Sequence, residues 1–551
     1  MADAYVIGID FGTLSARAVL VDARTGEELA SAVSEYRSRV IEGTLPEAKT
    51  KLKAKSALQD PADYLAALSD VVRGVLRKSK VRAESVVAIG TDFTSCTVLP
   101  VRKDGTPLCF DKQLRKNPHA WVKLWKHHST QAEADTINEL GARRGEEFVG
   151  AYGGKYSSEW FFSKALETVR EAPRVYDAAD YFIEGGDWIV WQLCGEQTRN
   201  ISAAGFKGMR VHGDGAEWTY PSEDFFAQLH PKLRGVTAKK LGGAVLQLGS
   251  RAGGLSESMA RELKLRPGIA VAAGNIDAHA GVPACGVTRP GTLAMIMGTS
   301  TCHLLMADRR VEAEGICGVV EDGVVPGFWG YEAGQSGVGD LFAWFVKHAC
   351  PSYVAKDEAA AHKKLSEAAG KLRPGESGLL ALDWWNGNRS ILVNAELTGM
   401  LLGLTVHSRP HDIYRALIEA TAFGTRKIVE AFTSKGVPIE KIVASGGLAQ
   451  KNEVLMQIYA DVLQRPIEIA AGEQTSALGA AMWAAVAGGV HRDIHAAARR
   501  MVRPAKAVFR PNRRHAQIYD RLYAEYSRLH DYFGRDAASP MHVLRDIQKA
   551  T

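Results

Sequence analysis

Apolar and polar positions along the chain alternate between two periods. "SVVAIGTDF" (Ser85 to Phe93) and "IAVAAGNID" (Ile269 to Asp277) are short apolar runs of the strand kind. Helical stretches lie between such runs. In "PADYLAALSDVVRGVLRKS", Leu65, Leu68, Val71, Val72 and Leu76 recur on one helical face, and Asp60 followed by Pro61 is a good N-cap and first-turn pair. "HDIYRALIEATAFGTRKIVEAF" predicts a second helix. Near the end of the chain Tyr519, Leu522, Tyr523, Tyr526 and Phe533 form an aromatic stripe that core packing explains better than a ligand does. Strands alternating with helices predict an α/β protein. At 551 residues, the chain exceeds the size at which a single core keeps growing, so two domains are expected.

The opening segment "IGIDFGTLSARAVLVD" predicts a strand from Tyr5 to Asp10, a turn, and a second strand from Ala16 to Asp22. "AMIMGTSTCHLLMAD" (Ala294 to Asp308) repeats it roughly half a chain later: an apolar run, a Gly-Thr turn with hydroxyl residues, and an apolar run ending in Asp. Two related hairpins suggest two similar domains, 1–280 and 281–551, each presenting a turn to a shared cleft.

Composition narrows the classes. The chain is 46% hydrophobic and 24% charged without low-complexity tracts, which is ordinary for a globular protein. A net charge of +6 is too dilute to argue for nucleic acid, and the late Lys/Arg cluster from Ala498 to Arg514 reads as solvated surface. Cysteines at 96, 109, 194, 285, 302, 317 and 350 include no Cys-x-x-Cys pair, pointing to a reducing compartment and away from a disulfide framework or zinc site. "MADAYVIGID" lacks a signal peptide's basic and apolar regions, and no apolar run reaches the roughly 20 residues of a membrane span. A soluble, cytoplasmic protein is expected, with no membrane partner and no nucleic-acid partner.

The chemistry gathers at the turns. A glycine flanked by Thr and Ser aims backbone N–H and hydroxyl donors into a concavity suited to phosphate oxygens. Gly12, Thr13 and Ser15 would form one such clasp and Gly298, Thr299 and Ser300 a second, and two opposed clasps suit a polyphosphate. Aligning Gly12 with Gly298 sets Asp10 against Ile296, so the carboxylate exists in one copy only. Beside a phosphate cradle an acid calls for a cation, and Mg²⁺ fits; taken alone, Asp10 reads as a turn cap. "VGAYGGKYS" misses the P-loop pattern at Val149 and Tyr156, "GQSGVG" has its glycines misplaced for a dinucleotide fingerprint, and zinc-peptidase and serine-hydrolase motifs are absent. In "IVASGGLAQKNEVLM" a strand (Ile442 to Ser445) ends in Gly446-Gly447 before a helix expected near Gln450; a ring or ribose would lie there with Asn452 as a polar reader, and a plain tight turn explains the pattern equally. Asp277, at an expected helix start, reads equally as an N-cap or a catalytic base.

Taken together, the paired clasps with Asp10, "GNIDAHAG" and "SGGLAQKN" resemble the FGGY family of carbohydrate kinases, within the wider actin, Hsp70 and hexokinase group. The resemblance runs over nearly the whole chain. "TDFTSCTVLP", "LWKHH", "YSSEWFFSKALE", "YEAGQSGVGD" and "LDWWNGNRS" narrow it to the branch acting on L-ribulose. It implies two RNase H-like domains flanking a central cleft that closes over ATP and a sugar. Carried over by position, Asp10 would sit by Mg²⁺; Gly12, Thr13, Ser15, Gly298, Thr299 and Ser300 would face the ATP phosphates; Gly446, Gly447 and Asn452 would approach the adenosine. Asp277 matches the family's catalytic aspartate, and Cys96, Trp125, Lys207 and Glu332 fall at the sugar positions. In "EWFFSKALE" the tryptophan precedes the lysine, a departure from many relatives, and Lys207 has a plain alternative as an exposed turn lysine. The implied reaction is phosphorylation of the C5 hydroxyl of L-ribulose in arabinose catabolism. Rival readings are another ketopentose or pentitol as acceptor, or an actin- or Hsp70-like ATPase; the latter leaves the sugar-side segments unexplained. A homo-oligomer, a dimer, is the expectation for the assembly.

Overall fold

The structure, a computed structural model, describes residues 4–46, 48–212 and 217–550; Met1 to Asp3 of the opening segment lie outside the described residues. Two large sheets organise it. The first comprises β1 (Tyr5–Phe11), β2 (Ser15–Asp22), β3 (Glu28–Glu35), β4 (Val86–Phe93), β5 (Arg251–Gly254), β6 (Ala270–Ala272) and β7 (Asn275–Ile276). Its order is β5-β6-β4-β1-β2-β3, with β7 also beside β4. The second comprises β8 (Gly291–Met297), β9 (Thr301–Ala307), β10 (Gly318–Glu321), β11 (Trp329–Gln335), β12 (Ile439–Ser445), β13 (Ile467–Ile469) and β14 (Ala507–Phe509). Its order is β10-β11-β9-β8-β12-β13-β14.

In the first sheet β1, β2 and β3 are antiparallel, β4 and β6 add parallel strands beside β1, and β5 closes antiparallel. In the second, β8, β9 and β11 are antiparallel, β12 and β13 add parallel strands beside β8, and β14 closes antiparallel. Strand for strand the second sheet repeats the first, with β10 added beyond β11. The echo between the two hairpins is therefore a repeat of the whole sheet, and the expected α/β architecture of two such units holds.

Local sequence explains the elements. Asp60 accepts the Ala62 N–H at 2.9 Å to open the Pro61–Ser79 helix, Arg77 and Lys78 lie in its last turn, and Lys80 ends it in the left-handed region. The second predicted helix spans Pro410–Thr433. Of the aromatic stripe, Tyr519, Tyr523 and Tyr526 are buried along the Arg513–Arg535 helix and pack around Phe423, as core residues do. All seven cysteines are free, and no described helix is long and apolar enough to cross a membrane.

One expected strand is not continuous. Between Ile269 and Asp277 the chain forms β6, breaks, and resumes as β7 before a helix begins at Asp277. Val271 pairs with Ile89 and Asn275 with Asp92, so one extra residue is accommodated here as a bulge, which puts Asp277 just past the sheet's end.

The two halves meet through two helices, Asp277–Ala284 and Thr475–Ala487, which cross where Gly479 faces Ala280. Thr475–Ala487, from the second half, lies directly on β1 and β4 of the first. Gly8 and Gly90, paired across those strands, permit this: a Cβ at Gly8 would stand 1.9 Å from the Ala477 carbonyl oxygen, and one at Gly90 2.1 Å from that of Ala480. Side chains at these positions would lift the helix off the sheet.

Candidate active site

Both hairpin turns, the start of the Asp277–Ala284 helix and the β11 strand converge on a cavity of about 150 Å³. Thr13 comes from the first turn, Thr299 and Ser300 from the second, and Asp277, Trp125, Lys207 and Glu332 complete a set drawn from both halves. Gly12 and Gly298 shape the turns: each donates its N–H back across its own turn, to the Ser15 oxygen at 3.0 Å and the Ser300 oxygen at 2.8 Å. Ser15 is buried at the start of β2 and does not line the cavity. The second turn is buttressed by N–H groups of Val338, Gly339 and Asp340, which donate to the carbonyls of Gly298 and Thr299.

Acidic residues collect at the strand ends. Asp10 on β1 lies opposite Asp92 on β4, and Asn275 on β7 follows beside Asp92. Asp92 is fully buried, and neither of its carboxyl oxygens has a hydrogen-bond partner among the described residues. Burial, with the Asp10 and Asp277 charges nearby, holds its carboxyl far above the usual range. Burial also raises Asp10, against the Arg17 guanidinium 4.0 Å away. Asp277 is pushed up to about 7, first by burial and then by the Asp10 charge, although its Oδ1 accepts the Ala278 N–H at 2.7 Å. Asp277 is the first helical residue and Ile276 the cap, so the N-cap reading of Asp277 is corrected.

A buried Asp92 carboxyl without a donor, close to Asp10 and Asp277 and beside two hydroxyl-bearing turns, suits a hard divalent cation. Among the described residues, no group of three or more His, Cys, Asp or Glu is arranged to hold a metal unaided. Mg²⁺ fits that shortage, because it usually takes one or two carboxylates and completes its shell with water and phosphate oxygens.

Lys207 is 2% exposed, which excludes the exposed-turn reading. Its ammonium donates to Glu332 Oε2 at 2.7 Å and faces the Trp160 ring at 5.3 Å. Burial alone would raise the Glu332 carboxyl, but the Lys207 ammonium and the His279 hydrogen bond together outweigh it and draw it down to about 2. The same oxygen lies 3.0 Å from His279 Nε2, and His279 Nδ1 lies 2.8 Å from Ser202 Oγ. An ionised Glu332 only accepts, so Nε2 carries a proton towards it, while Nδ1 faces both the Ser202 hydroxyl and, at 3.4 Å, the Gly323 carbonyl. Trp125 Nε1 donates to Thr13 Oγ1 at 3.0 Å, tying that tryptophan to the first turn.

Other predicted residues lie outside the cavity. Cys96 is buried with φ 58°, and the Lys164 ammonium donates to its carbonyl; its neighbours Thr94 and Ser95 line the cavity in its place. Gly446, at φ 94°, packs so closely on β8 that a Cβ would stand 2.3 Å from the Met297 oxygen, whereas Gly447 faces open space. The helix expected near Gln450 starts earlier, at Gly447, and breaks at Asn452 before Glu453–Leu463. Asn452 caps that second helix through the Leu455 N–H at 3.0 Å and donates to Ser366 Oγ at 3.1 Å, so its polar atoms are engaged within the protein.

Sequence reading missed Asp92, His279 and two further residues of the cavity wall, Glu159 and Arg389, whose Nη2 donates to Glu159 Oε1 at 3.0 Å. A signal for Asp92 was present, since "IGTDFTS" copies "IGIDFGT" and places a second aspartate at the same strand position. Glu159 and Arg389 were out of reach, because nothing in spacing joins residues so far apart.

A repeated sheet with opposed phosphate-type turns, an aspartate at a helix start and an ion-paired polar pocket is what an ATP-dependent sugar kinase needs. Comparison with known proteins agrees. The N-terminal domain of the FGGY family of carbohydrate kinases matches residues 5–282, and its C-terminal domain matches residues 293–488. The chain belongs to the FGGY family of carbohydrate kinases. Within it, the chain is 53% identical to a ribulokinase of Halalkalibacterium halodurans, over 100% of this chain and 98% of that one. It is 50% identical to a ribulokinase of Geobacillus thermodenitrificans, covering 99% and 97%. A gluconate kinase structure from Lactobacillus acidophilus shares the fold at TM-score 0.79 and 18% identity, covering 97% of this chain and 99% of that one.

Proposed function

We propose that this enzyme transfers the γ-phosphoryl group of ATP to the C5 hydroxyl of L-ribulose, giving L-ribulose 5-phosphate and ADP in arabinose breakdown. The observation that carries this reading is the single cavity where both turns, Asp277 and the Lys207–Glu332 pair meet. Full-length similarity to ribulokinases supports the choice of sugar.

The polar wall of Lys207, Glu332, Thr94 and Ser95 would hold the sugar hydroxyls and carbonyl, with Trp125 against its carbon face. The Asp277 carboxylate accepts the C5 proton as that oxygen bonds to the γ-phosphorus and the bond to ADP breaks. Thr13, Thr299 and Ser300 donate hydroxyl hydrogens to the phosphates from opposite sides. Asp10 and Asp92 would hold Mg²⁺, which when bound neutralises phosphate charge and orients the chain of phosphates. Gly447 leaves a free face for the adenosine, with Asn452 holding the adjoining helix in place.

The test is coupled ADP release with MgATP on L-ribulose, D-ribulose, both xyluloses, ribitol, arabitol and no sugar. Turnover fastest on L-ribulose and far above the sugar-free rate is expected; background rates on every sugar would overturn the reading. Asp277→Asn should lower kcat by about 10²-fold or more while ATP still binds. Because Asp277 must be ionised to act and burial lifts it to about 7, kcat/KM should rise with pH through that value. Saturating Mg²⁺ should move the acidic limb to lower pH.

A further inference from the structure

Two ion pairs of opposite polarity cross between the halves at this site. In one, the first half supplies the cation, Lys207, and the second the anion, Glu332. In the other the roles reverse: Arg389 Nη2 of the second half donates to Glu159 Oε1 of the first at 3.0 Å. Both side chains of this second pair are largely buried. Its surroundings set it apart. Besides the sugar cavity, a cavity of about 410 Å³ and a more open one of about 850 Å³ lie alongside. Among the described residues, Glu159 and Arg389 are the two that line all three.

Resting on the kinase reading above, we propose that the Glu159–Arg389 pair is the gate of the sugar cavity, closing it against the outer chambers when the halves come together. Arg389 is mounted rigidly on its own half. Ser390 beside it accepts the Gly334 N–H at 3.1 Å, and Asp383 at the start of the same loop accepts from Gln335 Nε2 at 2.8 Å. Both partners lie on β11, the strand that carries Glu332, so the two crossing pairs move as one. On the opposite side, Arg389 rests over the Trp125 ring at 5.7 Å, and Trp125 holds Thr13 of the first turn. A shut gate is thereby linked to a formed phosphate turn. The energetics suit a part that opens and closes: a buried ion pair gains in Coulomb attraction about what it loses in hydration, so parting it into water is nearly balanced. A shut gate keeps the sugar in and water out, and water is the competing phosphoryl acceptor.

Glu159→Gln, Arg389→Met, Arg389→Lys and the double variant Glu159→Gln/Arg389→Met test this. For Glu159→Gln and Arg389→Met, the sugar KM should rise about 10- to 100-fold while the ATP KM stays within about threefold. Sugar-independent ADP release should grow about tenfold relative to the sugar-dependent rate. Arg389→Lys should lie between, and the double variant should be no worse than either single one. A sugar KM and hydrolysis ratio within about twofold of wild type, or additive losses, would overturn the gate. A loss of kcat alone, with KM and ratio unchanged, would do the same. A second readout needs no sugar: Cys302, which lines the sugar cavity, should react with iodoacetamide about tenfold faster in Glu159→Gln than in wild type, with the buried Cys109 unchanged as a folding control. Equal Cys302 rates would refute the gate even if the acceptor proved to be another sugar, and faster Cys302 modification with no turnover on any sugar would refute the kinase reading alone.

Discussion

At the end of β1, Asp10 lies opposite Asp92 on β4; at the matching positions of the second sheet, Ile296 lies opposite Ser445. Farther down the same strands, Gly8 lies opposite Gly90 in the first sheet and Ala294 opposite Val443 in the second. The backbone pairing is the same in both halves, but the first carries the acids and the bare glycine faces. The difference separates scaffold from task. A repeated sheet brings two donor-lined turns to one cleft, while Asp10, Asp92 and Asp277, the metal ligands and base of the proposed function, stand on one side only. The glycines likewise serve one side, letting a helix of the second half lie flat on the first sheet.

The comparison breaks most sharply at its acidic positions. Asp10→Asn should lower kcat by about 10²-fold or more, whereas Ser445→Ala, at the position matching Asp92, should leave it within about threefold and cost only the 2.7 Å bond to Thr475, about 1 kcal/mol. Steady-state rates with a urea titration of each variant would separate the two effects. Equal losses of kcat would mean that the halves share the metal chemistry.

Smaller, and in stability alone, is the contrast between the glycine faces. Gly8→Ala should destabilise the protein by about 3 kcal/mol, since the new methyl meets the backbone of the Thr475–Ala487 helix, while Ala294→Gly should cost about 1 kcal/mol. Denaturant midpoints would show it, and a Gly8→Ala variant as stable as wild type would deny the close packing.

Smallest is the effect of Asp92→Asn on melting temperature. In the unfolded chain this carboxyl titrates near 4, and in the folded protein far higher, so the folded state holds the extra proton. Stability therefore falls as pH rises from about 4 toward the folded value, and Asp92→Asn removes that loss. The variant should gain a few degrees at about pH 8 and almost nothing at about pH 4, and Mg²⁺ should raise its melting temperature less than that of wild type. No pH dependence in the difference would mean that Asp92 is not strained in the folded protein.

Much of this was legible in the chain because it is written in local terms. The hairpins announced themselves by apolar runs around Gly-Thr turns, and the Pro61–Ser79 helix by its spacing and its cap. The break between β6 and β7 was not legible, since a bulge depends on how β4 is paired and not on the residues "VAAGNI" themselves. Nor was Asn452's capping role, because the stretch expected as one helix is broken at Asn452 into two, the second starting at Glu453.

By itself, then, the sequence determined the two hairpins with their turns, the Pro61–Ser79 helix and its cap, that the unit is doubled, and that Asp10 has no counterpart in the second hairpin. Those properties depend on spacing, backbone freedom and side-chain type within a few residues. Only the tertiary structure decided that Lys207 is buried against Glu332, that Asp92 is a buried acid under the charges of Asp10 and Asp277, and that Glu159 meets Arg389. Each of these depends on desolvation and on charges arriving from distant parts of the chain, quantities that exist only once the two halves have packed together.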